Sequence, residues 1–154
     1  MPTYIYLCMD IPTIKYAGCI IVSQSLNVLH VFTDGKWDYP TDIVKAGESN
    51  KQAALRAAVE RTNVDPANIR ILKELPSTVQ MSGEIINETR LYICEYETNP
   101  DFPLHAKLEH GIFETKWFPI SILPVFAMKS DRKYIGEFLH NLFTRTNILR
   151  RPKP

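Results

Sequence analysis

The stretch at residues 16–23, YAGCIIVS, limits the folds open to this chain more than any other segment. It is apolar, uninterrupted by charge, and rich in β-branched side chains. A strand with one wet face alternates apolar with polar residues, whereas a strand covered on both faces reads as a continuous apolar run. A central strand of this kind needs layers on both sides of its sheet, which implies a mixed α+β or α/β domain with helices on both faces. The apolar heart of the run, residues 17–22, falls far short of the roughly 20 residues of a membrane span.

Other elements follow from periodicity and punctuation. Residues 4–10 alternate around Tyr4, Tyr6 and Cys8 and read as a strand. A turn at 24–27 leads into a strand over 28–33, so the two apolar runs form a hairpin, and Asp34-Gly35 ends it. Residues 37–48, with Pro40 and Gly47, read as a loop. Ser49 and Gln52 then fit a capping box, in which each side chain satisfies the other's backbone N–H. The helix they open runs to Thr62, where Asn63 suits a left-handed cap. Strands are expected over 69–75, 90–97 and 113–118. A final helix is expected over 131–146, where Tyr134, Phe138 and Leu142 share a face with Ile135 and Leu139.

The chain of 154 residues suits one domain over 1–147 with a basic tail at 148–154. Its net charge of +1 conceals an excess of basic residues after residue 128. These residues are not interleaved with aromatics, so a solvated helix face accounts for them better than a nucleic-acid surface. Cys8, Cys19 and Cys94 are odd in number and lie in apolar surroundings, which reads as free thiols in a reducing compartment. The first residues show no secretory signal pattern, and a cytoplasmic location is expected. His105 and His110 have no companion ligands in the sequence and are not expected to hold a metal.

The segment 40–64, PTDIVKAGESNKQAALRAAVERTNV, resembles the Nudix hydrolase signature G-x5-E-x7-R-E-U-x-E-E-x-G-U, where U is aliphatic. Glu48, Arg56, Glu60 and Val64 fall on signature positions. Trp37 and Pro40 sit where the family often has Trp and Pro, and the G-E-S and A-A-L-R tracts are also family-like. The resemblance implies an α/β/α sandwich, its mixed sheet flanked by the helix at about 50–62 and the C-terminal helix at about 131–146. It also implies Glu60, Glu48 and Arg56 as residual catalytic matches, with Glu60 as the one metal ligand left on the helix. Several signature positions have changed. Asp42 replaces the first Gly, Ala57 and Arg61 replace two Glu, Ala58 fills the aliphatic position, and Asn63 replaces the late Gly. Lys45 stands where many members carry a further Glu.

In such enzymes the helix carboxylates hold Mg²⁺ or Mn²⁺, hard cations that prefer oxygen ligands. Helical spacing puts Arg56, Ala57, Glu60 and Arg61 on one side and Ala54, Leu55, Ala58 and Val59 on the core side. Three readings are open. One is a diverged protein with weak or no hydrolase activity that binds a nucleotide, nucleoside polyphosphate or RNA end through Arg61 and Lys45, with Trp37 and Tyr39 at the entrance. The second is an active Mg²⁺-dependent hydrolase of nucleoside diphosphate derivatives that recruits Glu84, Glu88, Glu95 or Glu97. The third is a protein-interaction scaffold whose helix face is merely salt-bridged. The first is favoured, with no tightly bound cofactor, Mg²⁺ or Mn²⁺ only if active, and no membrane contact. A homodimer or a protein partner is left open.

Overall fold

The computed structural model describes residues 11–97 and 114–119. The expected strand at 4–10, the helix at 131–146 and the tail at 148–154 lie outside the described residues. Among the described residues, eight strands form one mixed sheet: β1 (Thr13–Ser23), β2 (Asn27–Thr33), β3 (Lys36–Asp38), β4 (Thr41–Ile43), β5 (Ile69–Glu74), β6 (Thr78–Ser82), β7 (Ile85–Tyr96) and β8 (Glu114–Pro119). Helix α1 (Asn50–Thr62) separates β4 from β5. The main path runs β3-β2-β1-β7-β5, with β4 beside β1, β6 beside β7 and β8 beside β2.

β1 and β7 are the centre. They run parallel from the pair Thr13 and Ile86 to the pair Ser23 and Tyr96. Both faces of β1 are covered, as its continuous apolar run requires. Ala17, Cys19 and Ile21 join Cys94, Tyr96 and Ala53, Ala54 and Ala58 of α1 in one cluster, while Ile20 and Val22 join Val28, Leu91 and Ile93 in another.

Helix α1 begins and ends where its caps dictate. Ser49 Oγ accepts the Gln52 N–H at 3.1 Å, and Gln52 Oε1 accepts the Ser49 N–H at 2.9 Å. Asn63 adopts φ 63°, and its N–H reaches the Val59 carbonyl. The helix buries Ala53, Ala54, Ala57 and Ala58 completely. Small side chains let it approach β1 closely enough for Cys19 Sγ to donate to the Ala54 carbonyl at 3.2 Å. This corrects the expected helix face: Ala57 belongs to the core stripe rather than beside Arg56 and Glu60, and Leu55 and Val59 are only partly buried.

Residues 37–48 are not all loop, because β3 and β4 lie within them. β3 pairs with β2 through a two-residue turn in which Asp34 (φ 51°) and Gly35 (φ 76°) are both left-handed, the geometry of a type I′ hairpin. β4 lies on β1 because Gly18 has no side chain. A Cβ there would stand 2.5 Å from the Pro40 carbonyl oxygen and 2.6 Å from Thr41 Oγ1. That close approach brings Cys19 N–H to the Pro40 oxygen at 3.1 Å. It also sets Asp42 opposite Ala17, on the helix side of the sheet. β7 starts at Ile85, earlier than expected, and pairs with the unexpected strand β6 around a turn at Gly83-Glu84.

Candidate functional site

Arg56 organises the loop that precedes the helix. Gly47 turns at φ 80° and brings Glu48 back over α1. Arg56 Nε then donates to Glu48 Oε2 at 2.7 Å and Nη2 to Glu48 Oε1 at 2.9 Å, a bidentate pair. Nη2 also reaches the Ile43 carbonyl at 2.8 Å, and Nη1 reaches Asp42 Oδ2 at 2.8 Å. Glu60 is a looser partner at 3.4 Å, with its side chain 41% exposed. The Arg56 bonds and the Lys45 N–H hold the Glu48 carboxyl at about 2, against an ordinary 4.5. Burial pushes Asp42 up, but bonds from Arg56 and the Ile43 N–H, with the charge of Arg61, outweigh it and keep that carboxyl below its usual range.

Arg61 completes the network. Its Nη2 lies 3.2 Å from Asp42 Oδ1. The two residues that replace a signature Gly and a signature Glu therefore meet each other, and one carboxylate is shared by two guanidinium groups. These donors do not fit a divalent cation. Both Glu48 oxygens are bonded to Arg56, Asp42 gives one oxygen to Arg56 and the other to Arg61, and Glu60 is a half-exposed carboxylate with one oxygen 3.4 Å from Arg56. A like-charge contact at ~4 Å costs about 4 kcal/mol at an effective dielectric of 20, and twice that against a divalent ion. Among the described residues, no group of three or more Asp, Glu, His or Cys is placed to hold a metal ion.

Arg61 also borders a cavity of about 470 Å³ on the opposite side of β4 from the helix network. Tyr39 and Thr41 stand beside it, Tyr16 and Leu91 form part of the floor, and Thr78, Gln80, Asn87 and Thr89 form the wall from β6 and β7. His30 lies deeper, its ring 5.1 Å from that of Tyr39 and edge-on to Phe118. Burial lowers the His30 pKa, opposed by its hydrogen bond to the Val28 carbonyl. Its Nδ1 lies 3.0 Å from the Val28 carbonyl, which can only accept, so Nδ1 carries a proton. Burial raises the Asp38 carboxyl at the cavity rim, opposed by the Tyr39 N–H and by Lys36.

The residues singled out in the sequence divide between these two places. Glu48, Arg56 and Glu60 meet in the network, and Arg61 joins the network to the cavity. Tyr39 lines the cavity. Trp37 packs its ring against Phe32 and Phe118, at 5.2 and 4.8 Å, and is not part of the cavity lining. The Lys45 side chain is exposed and also stands apart from that lining, with its backbone N–H on Glu48. Glu95 pairs with Arg70 at the far end of β7. Sequence reasoning missed Asp42 as a partner of both arginines, and it missed the wall of β6 and β7. The Ser82-Gly83 turn signal between two strand-like tracts could have revealed that hairpin.

No curated protein sequence matches the chain. Solved structures do. The crystal structure of a C. elegans Ap4A hydrolase binary complex aligns with TM-score 0.73 at 18% identity, over 85% of this chain and 98% of that one. The NUDIX domain of Shewanella oneidensis NrtR, complexed with ADP ribose, aligns with TM-score 0.65 at 18% identity, over 93% and 99%. The MutT protein from Methanosarcina mazei Go1 aligns with TM-score 0.65 at 15% identity, over 86% and 96%. At these identities the structures speak for the fold. The family model of the NUDIX domain matches residues 14–142, and the chain belongs to the Nudix family.

Proposed function

We propose that this Nudix protein binds a nucleotide in the cavity beside β4, that Arg61 receives the phosphate in place of a divalent cation, and that hydrolase activity is weak or absent. The observation that carries this reading is the Asp42–Arg61 pair at 3.2 Å. It holds a guanidinium at the border of a cavity, within the helix region where the family signature places metal-binding carboxylates. Arginine matches phosphate geometry through parallel N–H donors and carries its charge at any physiological pH. The cavity supplies what the remainder of a nucleotide needs: aromatic faces at Tyr16 and Tyr39, and hydroxyl and amide groups at Thr41, Gln80 and Asn87. Similarity in fold to a domain complexed with ADP ribose and to an Ap4A hydrolase complex points to the same ligand class.

Calorimetric titration with nucleoside diphosphates, in chelator and then in Mg²⁺, tests the proposal. Removing a charge-assisted bond costs about 1.5–3 kcal/mol, so Arg61→Ala should weaken binding by about tenfold or more. Binding should also weaken as salt rises, since part of it is Coulombic. Rapid Mg²⁺-dependent release of phosphate from the same nucleotides would favour the hydrolase reading instead.

A further inference from the structure

We infer that the β6–β7 hairpin reads the nucleobase, so that the ligand lies across the sheet with its base at the hairpin and its phosphates at Arg61. The inference rests on the nucleotide-binding reading and assigns the two ends of that site. Its basis is a hairpin whose polarity is reversed. An antiparallel pair normally turns apolar residues inward and polar ones to water. Here Gln80 pairs with Asn87 and Thr78 with Thr89, and all four line the cavity. The alternate residues Val79 and Met81 are 61% and 62% exposed. A row of exposed and half-buried polar side chains along one wall of an open cavity is suited to a polar ligand rather than to a packed core.

Register places an aromatic ring beside that row. Tyr16 on β1 pairs with Thr89 on β7, which pairs with Thr78 on β6. The Asn87–Gln80 rung is the next on the same face. A planar base lying over Tyr16 would present its edge to two carboxamides, each of which offers both donors and an acceptor. Stacking and edge hydrogen bonds together are the chemistry that selects a heterocycle. β4, which carries the partner of Arg61, flanks β1 on the side away from β7. Three strand spacings of about 4.8 Å therefore separate β4 from β6. A ligand touching both walls must be longer than inorganic phosphate or pyrophosphate, as a nucleoside diphosphate is.

The test compares Gln80→Ala/Asn87→Ala with Arg61→Ala, using ADP, GDP, CDP, UDP and inorganic pyrophosphate as calorimetric probes. The hairpin variant should lose about tenfold in affinity for the preferred nucleotide, the lower end of what a bidentate amide–base contact supplies. Its affinity for pyrophosphate should not change. Arg61→Ala should weaken both classes of probe. Val79→Thr/Met81→Gln, on the outer face of the same hairpin, should bind like the parent. If the Gln80/Asn87 variant binds every nucleotide normally while Arg61→Ala does not, the hairpin assignment fails and the nucleotide reading survives. Equal weakening by the outer-face variant would also overturn the assignment, because hairpin stability would then explain the loss. If the parent protein binds none of the nucleotides, both inferences fall together.

Discussion

Glu48 and Arg56 set the geometry of the loop before α1, and the consequence is measurable in acid. The Glu48 carboxyl is held at about 2 by Arg56 and the Lys45 N–H, against 4.5 for a free glutamate. A folded-state value below the unfolded one contributes stability that is complete above the unfolded value and is lost as pH falls toward the folded one. Thermal unfolding should therefore show a midpoint that drops as pH falls from about 5 to about 2, and Glu48→Gln should flatten that drop. An unchanged slope in the variant would show that other carboxylates carry the linkage. Sequence spacing made the Glu48–Arg56 relation legible, because both sit on signature positions. The Asp42–Arg61 contact was not legible. Nineteen positions separate the two residues in the chain, and no local periodicity links a β4 residue to the last turn of α1. Only the pairing of Asp42 with Ala17 places it on the helix side.

The capped helix was the most readable element, because its limits are set by local hydrogen bonds: Ser49 with Gln52 at one end and a left-handed Asn63 at the other. Its buried face was harder to read, since a stripe of alanines carries little amphipathic signal. β1 was readable from composition alone. β3 and β4 were not, since each has three residues and exists only by pairing with a distant strand. β6 was hidden because its apolar residues point outward, contrary to the usual rule. Among these elements the contact between β1 and β4 is the most sensitive. Gly18→Ala would force a Cβ to within 2.5 Å of the Pro40 oxygen. Overpacking of this kind costs about 1–3 kcal/mol, so denaturant unfolding should show a loss of that size. Nucleotide affinity should fall with it, because the displaced strand carries Asp42. A variant as stable as the parent would mean that β4 can move aside without strain.

At the scale of the whole molecule, the fold and the site's chemistry follow different constraints. The sheet, its two cores and the capped helix reproduce the Nudix arrangement, while the charges around α1 have been rebuilt. Glu48 and Arg56 keep their signature positions and pair, while Arg61 stands on Asp42 where the signature has a second glutamate. The described residues include no helix long and apolar enough to cross a membrane. We propose that phosphate recognition in this chain depends on Arg61 and not on a divalent ion. Titrating the protein with a nucleoside diphosphate, in chelator and again in excess Mg²⁺, tests it most directly when Arg61→Ala is run alongside. Recognition through Arg61 requires equal affinity of the parent protein in both conditions, and a loss of about tenfold or more in Arg61→Ala from the missing charge-assisted bond. Binding that requires Mg²⁺ and is indifferent to Arg61→Ala would contradict it.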